Sequence, residues 1–301
     1  MSARSRIVRV PASSANLGPG YDVLAAALTF ELQVEAIETG MFEIVTEGFE
    51  APTDRTNLIV RAFESLHSAD GISFRVRSKI PLARGLGSSA SAIVAGLLAA
   101  DHMFELANDR AAILARATEL EGHPDNVAAA LYGGITLCPP APEGGSQPPP
   151  VLLAPPEGVE CILVVGGGEV PTETARAALP AELPIADVTH NVAAAAQLVL
   201  GIERSDLDLI SAGLADRVHQ PHRTPLYPRS MELVERAAEF GAIGATISGA
   251  GPAVLVWAFW QSGSALLERL HEFAADWADD TGWAEVRRAQ FSPRGARVEI
   301  P

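Results

Sequence analysis

An uncharged turn rich in glycine and serine lies between a predicted strand and a long apolar helix, within the segment IPLARGLGSSASAIVAGLLAADH at residues 80–102. Residues 85–90 of this segment contain no charged side chain. The residues alone leave three interpretations open: a plain strand-to-helix turn capped by Ser88 or Ser89, a dinucleotide-binding turn, and a phosphate-binding loop. The choice among them constrains both the fold and the function of the chain.

The dinucleotide interpretation conflicts with the sequence that follows the turn. Gly85, Gly87 and Ala90 satisfy the G-x-G-x-x-[GA] pattern, and Glu105 lies near the distance of ~20 residues expected for a ribose-binding acid. That acid must end a second strand, whereas the predicted helix continues through Glu105. A second glycine run, GGGEVP, has proline where the last glycine belongs. A Walker A loop is excluded because the chain contains no G-x-x-x-x-G-K-[ST] sequence.

The phosphate interpretation requires no charged side chain. Glycines let backbone N–H groups converge on an anion, and the helix that follows directs the positive end of its dipole toward the loop. Two further glycine turns favour this interpretation, PASSANLGPGYD at residues 11–22 and TISGAGP at residues 246–252. One such turn is common in proteins, but three in one chain indicate a binding site built from turns.

The charge and composition of the chain restrict its partners and its location. The formal net charge of −15 argues against binding to nucleic acid or to an anionic membrane. Hydrophobic residues make up 48% and charged residues 20%, proportions typical of a soluble globular protein. The segment MSARSRIVRVPASS lacks the apolar core of a signal peptide, and no apolar run reaches the length of a membrane span. We therefore expect a cytoplasmic protein with Cys138 and Cys161 reduced.

A proline-rich segment, PPAPEGGSQPPP at residues 139–150, predicts a linker or an exposed loop. It divides the chain into predicted domains at residues 1–150 and 151–301. Sequence periodicity predicts strands at residues 6–11, 31–37, 42–46, 72–80, 133–138, 160–165, 245–248, 253–258 and 285–290. It predicts helices at residues 57–68, 89–106, 110–121, 126–132, 172–179, 188–202, 206–215, 230–240 and 263–277. Because strands and helices do not alternate regularly, the predicted fold class is α+β.

The three turns resemble the three signature motifs of the GHMP kinases, a family of ATP-dependent kinases of small molecules. The turn PLARGLGSSA is close to the family pattern P-x-x-x-G-L-G-S-S-A. The segments EGHPDNV, VPTETAR and HQPHR are most similar to the branch of the family that phosphorylates homoserine. The chain departs from the pattern at Tyr21, where phenylalanine is usual, and at Ala250, where serine is common. The resemblance implies the two-lobed GHMP kinase fold with the active site between the lobes.

The resemblance also implies an ATP site and a magnesium site. The implied nucleotide-binding residues are Asn57, Pro81, Leu82, Ala83, Arg84, Gly85, Leu86, Gly87, Ser88, Ser89 and Ala90. The implied magnesium ligands are Ser89 and Glu121, which supply the hard oxygen atoms that this ion prefers. Glu119, on another face of the same helix, is the alternative carboxylate. Asn57 is equally a candidate N-cap, and Arg84 is equally a candidate surface residue.

An amino-acid substrate needs partners for both of its charges. The implied substrate-binding residues are Asn16, Asp22, His123, Asn126, Arg176 and Arg223, of which Asn16, Asp22 and Arg176 are also implied in catalysis. The planar guanidinium of Arg176 or Arg223 suits the carboxylate of L-homoserine. The amide and carboxylate side chains suit its ammonium and hydroxyl groups. Asp125 is predicted to be the N-cap of the helix that follows it.

The implied reaction is in-line transfer of the γ-phosphoryl group of ATP to the δ-hydroxyl of L-homoserine, which gives O-phospho-L-homoserine for threonine biosynthesis. Such a transfer needs positioning and charge neutralisation more than a strong base, and Asp22 is the candidate that orients the hydroxyl. The family also implies a homodimer. One alternative is another GHMP kinase with a mevalonate-like or sugar substrate, although the single lysine, Lys79, makes an Asp–Lys pair hard to build. The other is a non-catalytic, ligand-binding member of the fold, although the loop and the acid are intact.

Overall fold

The computed structural model describes residues 4–166, 168–281 and 284–301, with the backbone alone for residues 277–281 and 284. The middle glycine of the GGGEVP run and residues 1–3 of the N-terminal segment lie outside the described residues. Within the described ranges, strands form two separate sheets with helices packed on them. This mixed α+β architecture agrees with the predicted fold class.

The strands in chain order are β1 (Ser5–Ala15), β2 (Leu24–Glu38), β3 (Glu43–Glu47), β4 (Ile72–Ser78), β5 (Ile135–Leu137), β6 (Val151–Leu153), β7 (Val159–Gly166), β8 (Gly244–Ile247), β9 (Val254–Phe259), β10 (Ala284–Ala289) and β11 (Arg297–Glu299). The helices are α1 (Leu58–Glu64), α2 (Ser88–Phe104), α3 (Arg110–Glu121), α4 (Asp125–Tyr132), α5 (Thr172–Ala177), α6 (Ile185–Arg204), α7 (Leu207–Gly213), α8 (Pro228–Arg236) and α9 (Gly263–Thr281). Short 3₁₀ turns cover Pro221–Arg223 and Ala237–Phe240.

The first sheet has the strand order β11-β1-β2-β4-β3, and β5 joins it by pairing with β2 and β6. β1 and β2 are antiparallel, with Val8 opposite Val34, whereas β3 runs parallel to β4. The register of β1 against β2 shifts between Pro11 and Ala12, which is the position of a bulge. A bulge bends its strand, so the last residues of β1 are carried toward the helices.

Helix α2 lies at the centre of the first lobe. Its sequence is apolar on every side, and residues around its whole circumference are buried, as expected for a core helix. A Cβ atom at Gly96 would lie 2.2 Å from the carbonyl oxygen of Ile59, so α1 and α2 cross at very close range. Phe63 of α1 is fully buried and packs edge-on against Phe74 of β4 at 5.2 Å. These contacts fix the direction in which the N-terminus of α2 points.

The second sheet is antiparallel, with the order β10-β7-β9-β8. Its core includes Ile162, Val256 and Leu270 from β7, β9 and α9. In the described part of the chain, α6 is the one helix whose length and apolar composition would allow it to cross a membrane. Leu198 and Ile202 of α6 are buried, and α6 packs closely on α7.

Most predicted elements are present, and the largest differences concern the edges of the first sheet. The proline-rich segment is a mostly exposed loop that connects β5 to β6, two antiparallel neighbours in that sheet. β6 and β11 are strands that the periodicity did not predict, and both belong to the first sheet although they follow residue 150. The division into domains 1–150 and 151–301 stays a prediction.

Candidate active site

The three glycine turns are joined to one another by hydrogen bonds. The Asn16 side chain donates from Nδ2 to the carbonyl oxygen of Gly249 at 3.0 Å, and the Gly249 N–H donates to the carbonyl oxygen of Ala15 at 3.2 Å. The Ser248 hydroxyl donates to the carbonyl oxygen of Gly85 at 2.7 Å. The third turn therefore bridges the first and the second, although more than 160 residues separate it from either.

The second turn presents the N-terminus of α2 without a side-chain cap. Gly87 occupies the N-cap position with φ +66°, and a Cβ atom there would lie 2.0 Å from Ser13 Oγ. Ser13 in turn donates to Asn126 Oδ1 at 2.8 Å. Ser88 and Ser89 belong to the first turn of α2, so the interpretation in which either serine caps the helix is wrong. Because no side chain covers them, the first N–H groups of α2 can bind an anion.

A cavity of about 280 Å³ lies where the turns meet. The predicted site residues that line it are Asn16, Asp22, Ala83, Gly85, Leu86, Gly87, Ser88, Ser89, Glu121, His123, Asn126, Arg176 and Arg223. The N-terminus of α2, the carboxylates of Asp22, Glu121 and Asp125, and two guanidinium groups therefore share one space. A site of this kind can hold an anionic phosphate chain and a small zwitterion side by side.

A second cavity of about 230 Å³ adjoins the first at Ser88 and Ser89. Its walls are mainly apolar and include Leu32, Phe49, Val76, Ile80 and the predicted residue Leu82. The predicted residue Asn57 also lines it. Asn57 is the N-cap of α1, because its side chain accepts a hydrogen bond from the Ile59 N–H at 2.9 Å, which confirms that interpretation.

Three predicted nucleotide-binding residues line neither cavity. Ala90 is buried within α2, and Pro81 precedes the turn. Arg84 Nη1 lies 3.2 Å from a carboxylate oxygen of Glu169, and its side chain is 12% exposed. Arg84 is therefore not the exposed surface residue of the alternative interpretation, and it belongs to the turn without lining either cavity.

The two candidate metal carboxylates differ in what they contact. Ser89 donates to Glu121 Oε1 at 2.5 Å, and burial raises the pKa of Glu121 despite this hydrogen bond. Glu119 pairs instead with Arg116 at 2.7 Å, and its side chain is 64% exposed. Among the described residues there is no cluster of three or more His, Cys, Asp or Glu side chains that could hold a metal ion. Ser89 and Glu121 would therefore bind a cation only together with oxygen atoms from another molecule.

His123 and Asp125 form a hydrogen-bonded pair on the wall of the first cavity. Asp125 Oδ1 lies 2.7 Å from His123 Nδ1 and also accepts from the Asn126 N–H at 2.7 Å. Burial lowers the pKa of His123, but the hydrogen bond and charge of Asp125 outweigh it, so the net pKa is raised. The prediction that Asp125 is an N-cap is wrong, because α4 begins at Asp125 itself and Pro124 holds the N-cap position.

Arg176 and Asp22 form a bidentate ion pair. Arg176 Nη2 donates to one carboxylate oxygen of Asp22 at 2.7 Å, and Nη1 donates to the other at 2.9 Å. Nη1 also donates to the hydroxyl of Tyr21 at 3.0 Å. The two side chains are 38% and 35% exposed, so water or a polar ligand can reach the pair.

Arg223 differs from Arg176 because it is almost completely buried, with 2% of its surface exposed. Its Nε donates to the carbonyl oxygen of Ala175 at 3.1 Å, and its Nη1 donates to the carbonyl oxygen of Gly249 at 2.9 Å. Nη1 also lies 3.3 Å from His219 Nδ1. These contacts of Nε and Nη1 hold the Arg223 cation in a fixed position at the wall of the cavity.

His219 supports Arg223 and was not among the predicted site residues, although the HQPHR segment contains it. Its Nε2 lies 2.7 Å from the carbonyl oxygen of Gly18, which can only accept, so Nε2 carries the proton and Nδ1 accepts from Arg223. The fully buried carboxylate of Asp216 accepts from the backbone N–H groups of Val218, His219 and Gln220. Asp216 lay outside every motif, so the sequence carried no signal for it.

The fold and the site together define a kinase of small molecules, in which a helix N-terminus faces a charged cavity. The model for the GHMP kinases N terminal domain matches residues 57–134, and the model for the GHMP kinases C terminal domain matches residues 198–276. The chain belongs to the GHMP kinase family.

Its relatives within that family include homoserine kinases. The homoserine kinase of a Thermus thermophilus strain is 41% identical over 249 residues, which are 81% of this chain and 83% of the relative. The homoserine kinase of Streptomyces avermitilis is 40% identical over 303 residues, which are 97% of this chain and 94% of the relative. The crystal structure of homoserine kinase from Cytophaga hutchinsonii superimposes with a TM-score of 0.85 at 26% identity, over 98% of both chains.

We predict that the stability of the protein decreases at mildly acidic pH because of His219. Burial lowers the pKa of His219 in the folded state, whereas an unfolded histidine titrates at about 6.5. Below that pH the unfolded state binds the additional proton, so the free energy of unfolding falls by up to about 1.4 kcal/mol per pH unit. In His219→Gln, unfolding measured by urea titration between about pH 7.5 and 5.5 should show a shallower decline.

The matched control for this prediction is His102→Gln, which removes an exposed histidine. The pKa of His123 is shifted in the opposite direction, but His123 is present in all three proteins and its contribution cancels in the comparison. A decline in His219→Gln as steep as that of the unmodified protein would contradict the assignment of a neutral, buried His219.

Proposed function

We propose that this protein transfers the γ-phosphoryl group of ATP to the δ-hydroxyl of L-homoserine, giving O-phospho-L-homoserine for threonine biosynthesis. One observation carries the proposal: the uncapped N-terminus of α2 and the charged group of Asp22, Arg176 and Arg223 line the same cavity. The first suits a phosphate chain and the second suits an amino acid. The names of the relatives, which are homoserine kinases, support the same substrate.

The two adjoining cavities suit the two ends of ATP. The apolar cavity between Leu32 and Leu82 would hold the base, and the N–H groups that follow Gly87 would hold the phosphates. Ser89 and Glu121 fit a magnesium ion, because their hard oxygen atoms converge at 2.5 Å beside the phosphate position. When bound there, magnesium would neutralise charge that develops on the phosphates.

The Arg176–Asp22 pair matches the charges of the substrate. A zwitterion can replace this pair if its carboxylate takes Arg176 and its ammonium group takes Asp22, with the buried Arg223 holding the carboxylate from a second side. A substrate that carries only one of the two charges would leave a partly buried charge without a partner, which costs free energy. This argument disfavours mevalonate, and a neutral sugar has neither charge with which to replace the pair.

The side chains around the bound homoserine would position its hydroxyl rather than provide a strong base. Asn126 lines the cavity, and a hydrogen bond from Ser13 orients its side chain. One lone pair of Asn16 Oδ1 accepts from the Asp22 N–H at 3.1 Å, so the second lone pair can accept a hydrogen bond from the hydroxyl of the substrate. The homoserine oxygen forms a bond to the γ-phosphorus, the bond from that phosphorus to the leaving ADP breaks, and the hydroxyl proton passes to solvent water. Positioning of this kind supplies most of the catalysis expected for phosphoryl transfer.

The proposal extends to a cytoplasmic homodimer. Ile185, Val192 and Leu200 lie on the outer face of α6, and they are 80%, 66% and 39% exposed. Several exposed apolar side chains on one face of a helix favour a protein–protein contact there.

We expect L-homoserine to be the preferred substrate in a coupled ADP-release assay that also includes L-serine, L-threonine, mevalonate and galactose. Its kcat/KM should exceed that for mevalonate by about 10²-fold or more, because mevalonate leaves Asp22 unpaired. Preference for mevalonate or galactose would support another kinase of the family. ADP release with none of the five would support the non-catalytic alternative.

We expect Glu121→Gln to lower activity by about 10²–10³-fold, because a neutral amide would hold magnesium less well and the charge on the phosphates would be less neutralised. The concentration of magnesium that gives half-maximal rate should rise in the same variant. Glu119→Gln is the matched control on the same helix, and its kinetics should equal those of the unmodified enzyme. A large loss in Glu119→Gln with none in Glu121→Gln would refute the assigned carboxylate.

We expect sedimentation velocity to show a dimer for the unmodified protein and a monomer for Val192→Glu, because a buried charge in an apolar interface is unfavourable. Sedimentation of the unmodified protein as a monomer would overturn the proposed homodimer.

A further inference from the structure

The ring of Tyr21 contacts both arginines of the cavity. Its centroid is 5.5 Å from Cζ of Arg176 and 5.6 Å from Cζ of Arg223. The centroid also lies 5.2 Å from that of the buried His219 ring. The two guanidinium groups repel each other, and the face of an aromatic ring attracts each of them. Cation–π attraction to this one ring therefore favours the positions of both guanidinium groups.

The hydroxyl of Tyr21 makes a contact to Arg176 that is separate from the ion pair with Asp22. It accepts a hydrogen bond from Arg176 Nη1, whose other contacts in the described structure are to Asp22. If Asp22 turns to the ammonium group of a substrate, the Tyr21 hydroxyl remains as a protein contact of Arg176. Burial and the charge of Asp22 raise the pKa of Tyr21, so its hydroxyl keeps a proton that can be donated to a carboxylate.

We propose that Tyr21 is the positioning residue for the carboxylate-binding pair Arg176 and Arg223, with its ring fixing their separation and its hydroxyl holding Arg176 while the substrate occupies Asp22. This inference rests on the proposed function, because it assigns Tyr21 to the recognition of the substrate carboxylate. Tyr21 comes from the β1–β2 connection, whereas Arg176 belongs to α5 and Arg223 to the HQPHR turn. Tyr21 thus couples the first glycine turn to both cations.

Two substitutions separate the ring from the hydroxyl. Tyr21→Phe keeps the ring and removes one hydrogen bond, so the KM for L-homoserine should rise by about two- to tenfold. Tyr21→Leu also removes the aromatic support, and its KM for L-homoserine should rise further, by about ten- to a hundredfold. The KM for ATP should not change in either variant, and kcat should change less than the KM for L-homoserine.

The matched control is a tyrosine that lies outside the cavity and also contacts an arginine. Tyr132 is such a residue, because its ring centroid is 5.6 Å from Cζ of Arg110 and it lines neither cavity. Tyr132→Phe and Tyr132→Leu should leave both KM values unchanged.

A second substrate distinguishes positioning from a general loss of structure. L-Homoserinamide keeps the ammonium and hydroxyl groups but carries no carboxylate charge, so Tyr21→Leu should lower kcat/KM for L-homoserine much more than for the amide. An equal loss with both substrates, or a rise in the KM for ATP, would overturn the role of Tyr21 alone. If the unmodified enzyme does not phosphorylate L-homoserine, both the proposed function and this inference are overturned.

Discussion

The site depends on hydrogen bonds that join three glycine turns from distant parts of the chain. Ser248 Oγ binds the carbonyl oxygen of Gly85, and Gly249 binds both Ala15 and the side chain of Asn16. Each of these turns alone would present a few exposed polar groups to water. Because they are bound to one another, their backbone groups are satisfied on one side and converge on the cavity on the other. The N–H groups at the N-terminus of α2 are the backbone groups of this region that remain available to bind an anion.

This arrangement explains how a chain with a net charge of −15 can bind an anionic nucleotide. The attraction is local: the dipole of a long buried helix acts within its first turn, and it requires no basic surface. α2 is suited to this because it is buried on all sides and held against α1 at Gly96, so its direction cannot change. The acidic surface then contributes to solubility without weakening a field that acts only at short range.

The predictability of the fold and of the site from the sequence depended on how local each signal was. Helices such as α3, which has Asp109 and Gly122 as its caps, match the predicted bounds because those signals lie next to the ends of the helix. β6 and β11 have three residues each and are held by strands far away in the sequence, so periodicity could not reveal them. The sequence motifs contain most of the residues that line the cavity. Asp216 lies outside them, and it holds the turn by accepting hydrogen bonds from the backbone N–H groups of His219 and Gln220.

The exact start of a helix and the pairing of distant side chains could not be predicted from the sequence either. Asp125 is typical of an N-cap, but α4 begins one residue earlier than its periodicity suggests, and the carboxylate contacts both His123 and the Asn126 N–H. The ion pair between Arg176 and Asp22 joins two residues that were assigned separately to opposite charges of the substrate. Their mutual contact is a tertiary effect, since 154 residues separate them.

The two arginines of the cavity have different physical properties, and the difference suits a site that must open to an amino acid. Arg176 and Asp22 are only partly buried, so a zwitterion can reach the pair and supply each side chain with a new partner of opposite charge. Arg223 is buried and held by two carbonyl groups and His219, so its position is fixed without a ligand. In the proposed function, Arg223 would provide a preformed anchor, which limits the entropy lost on binding, and Arg176 would exchange partners. If both arginines were buried without a carboxylate partner, two cations would be unpaired when no substrate is bound. If both were paired as Arg176 is, the site would bind the substrate carboxylate without fixing its orientation.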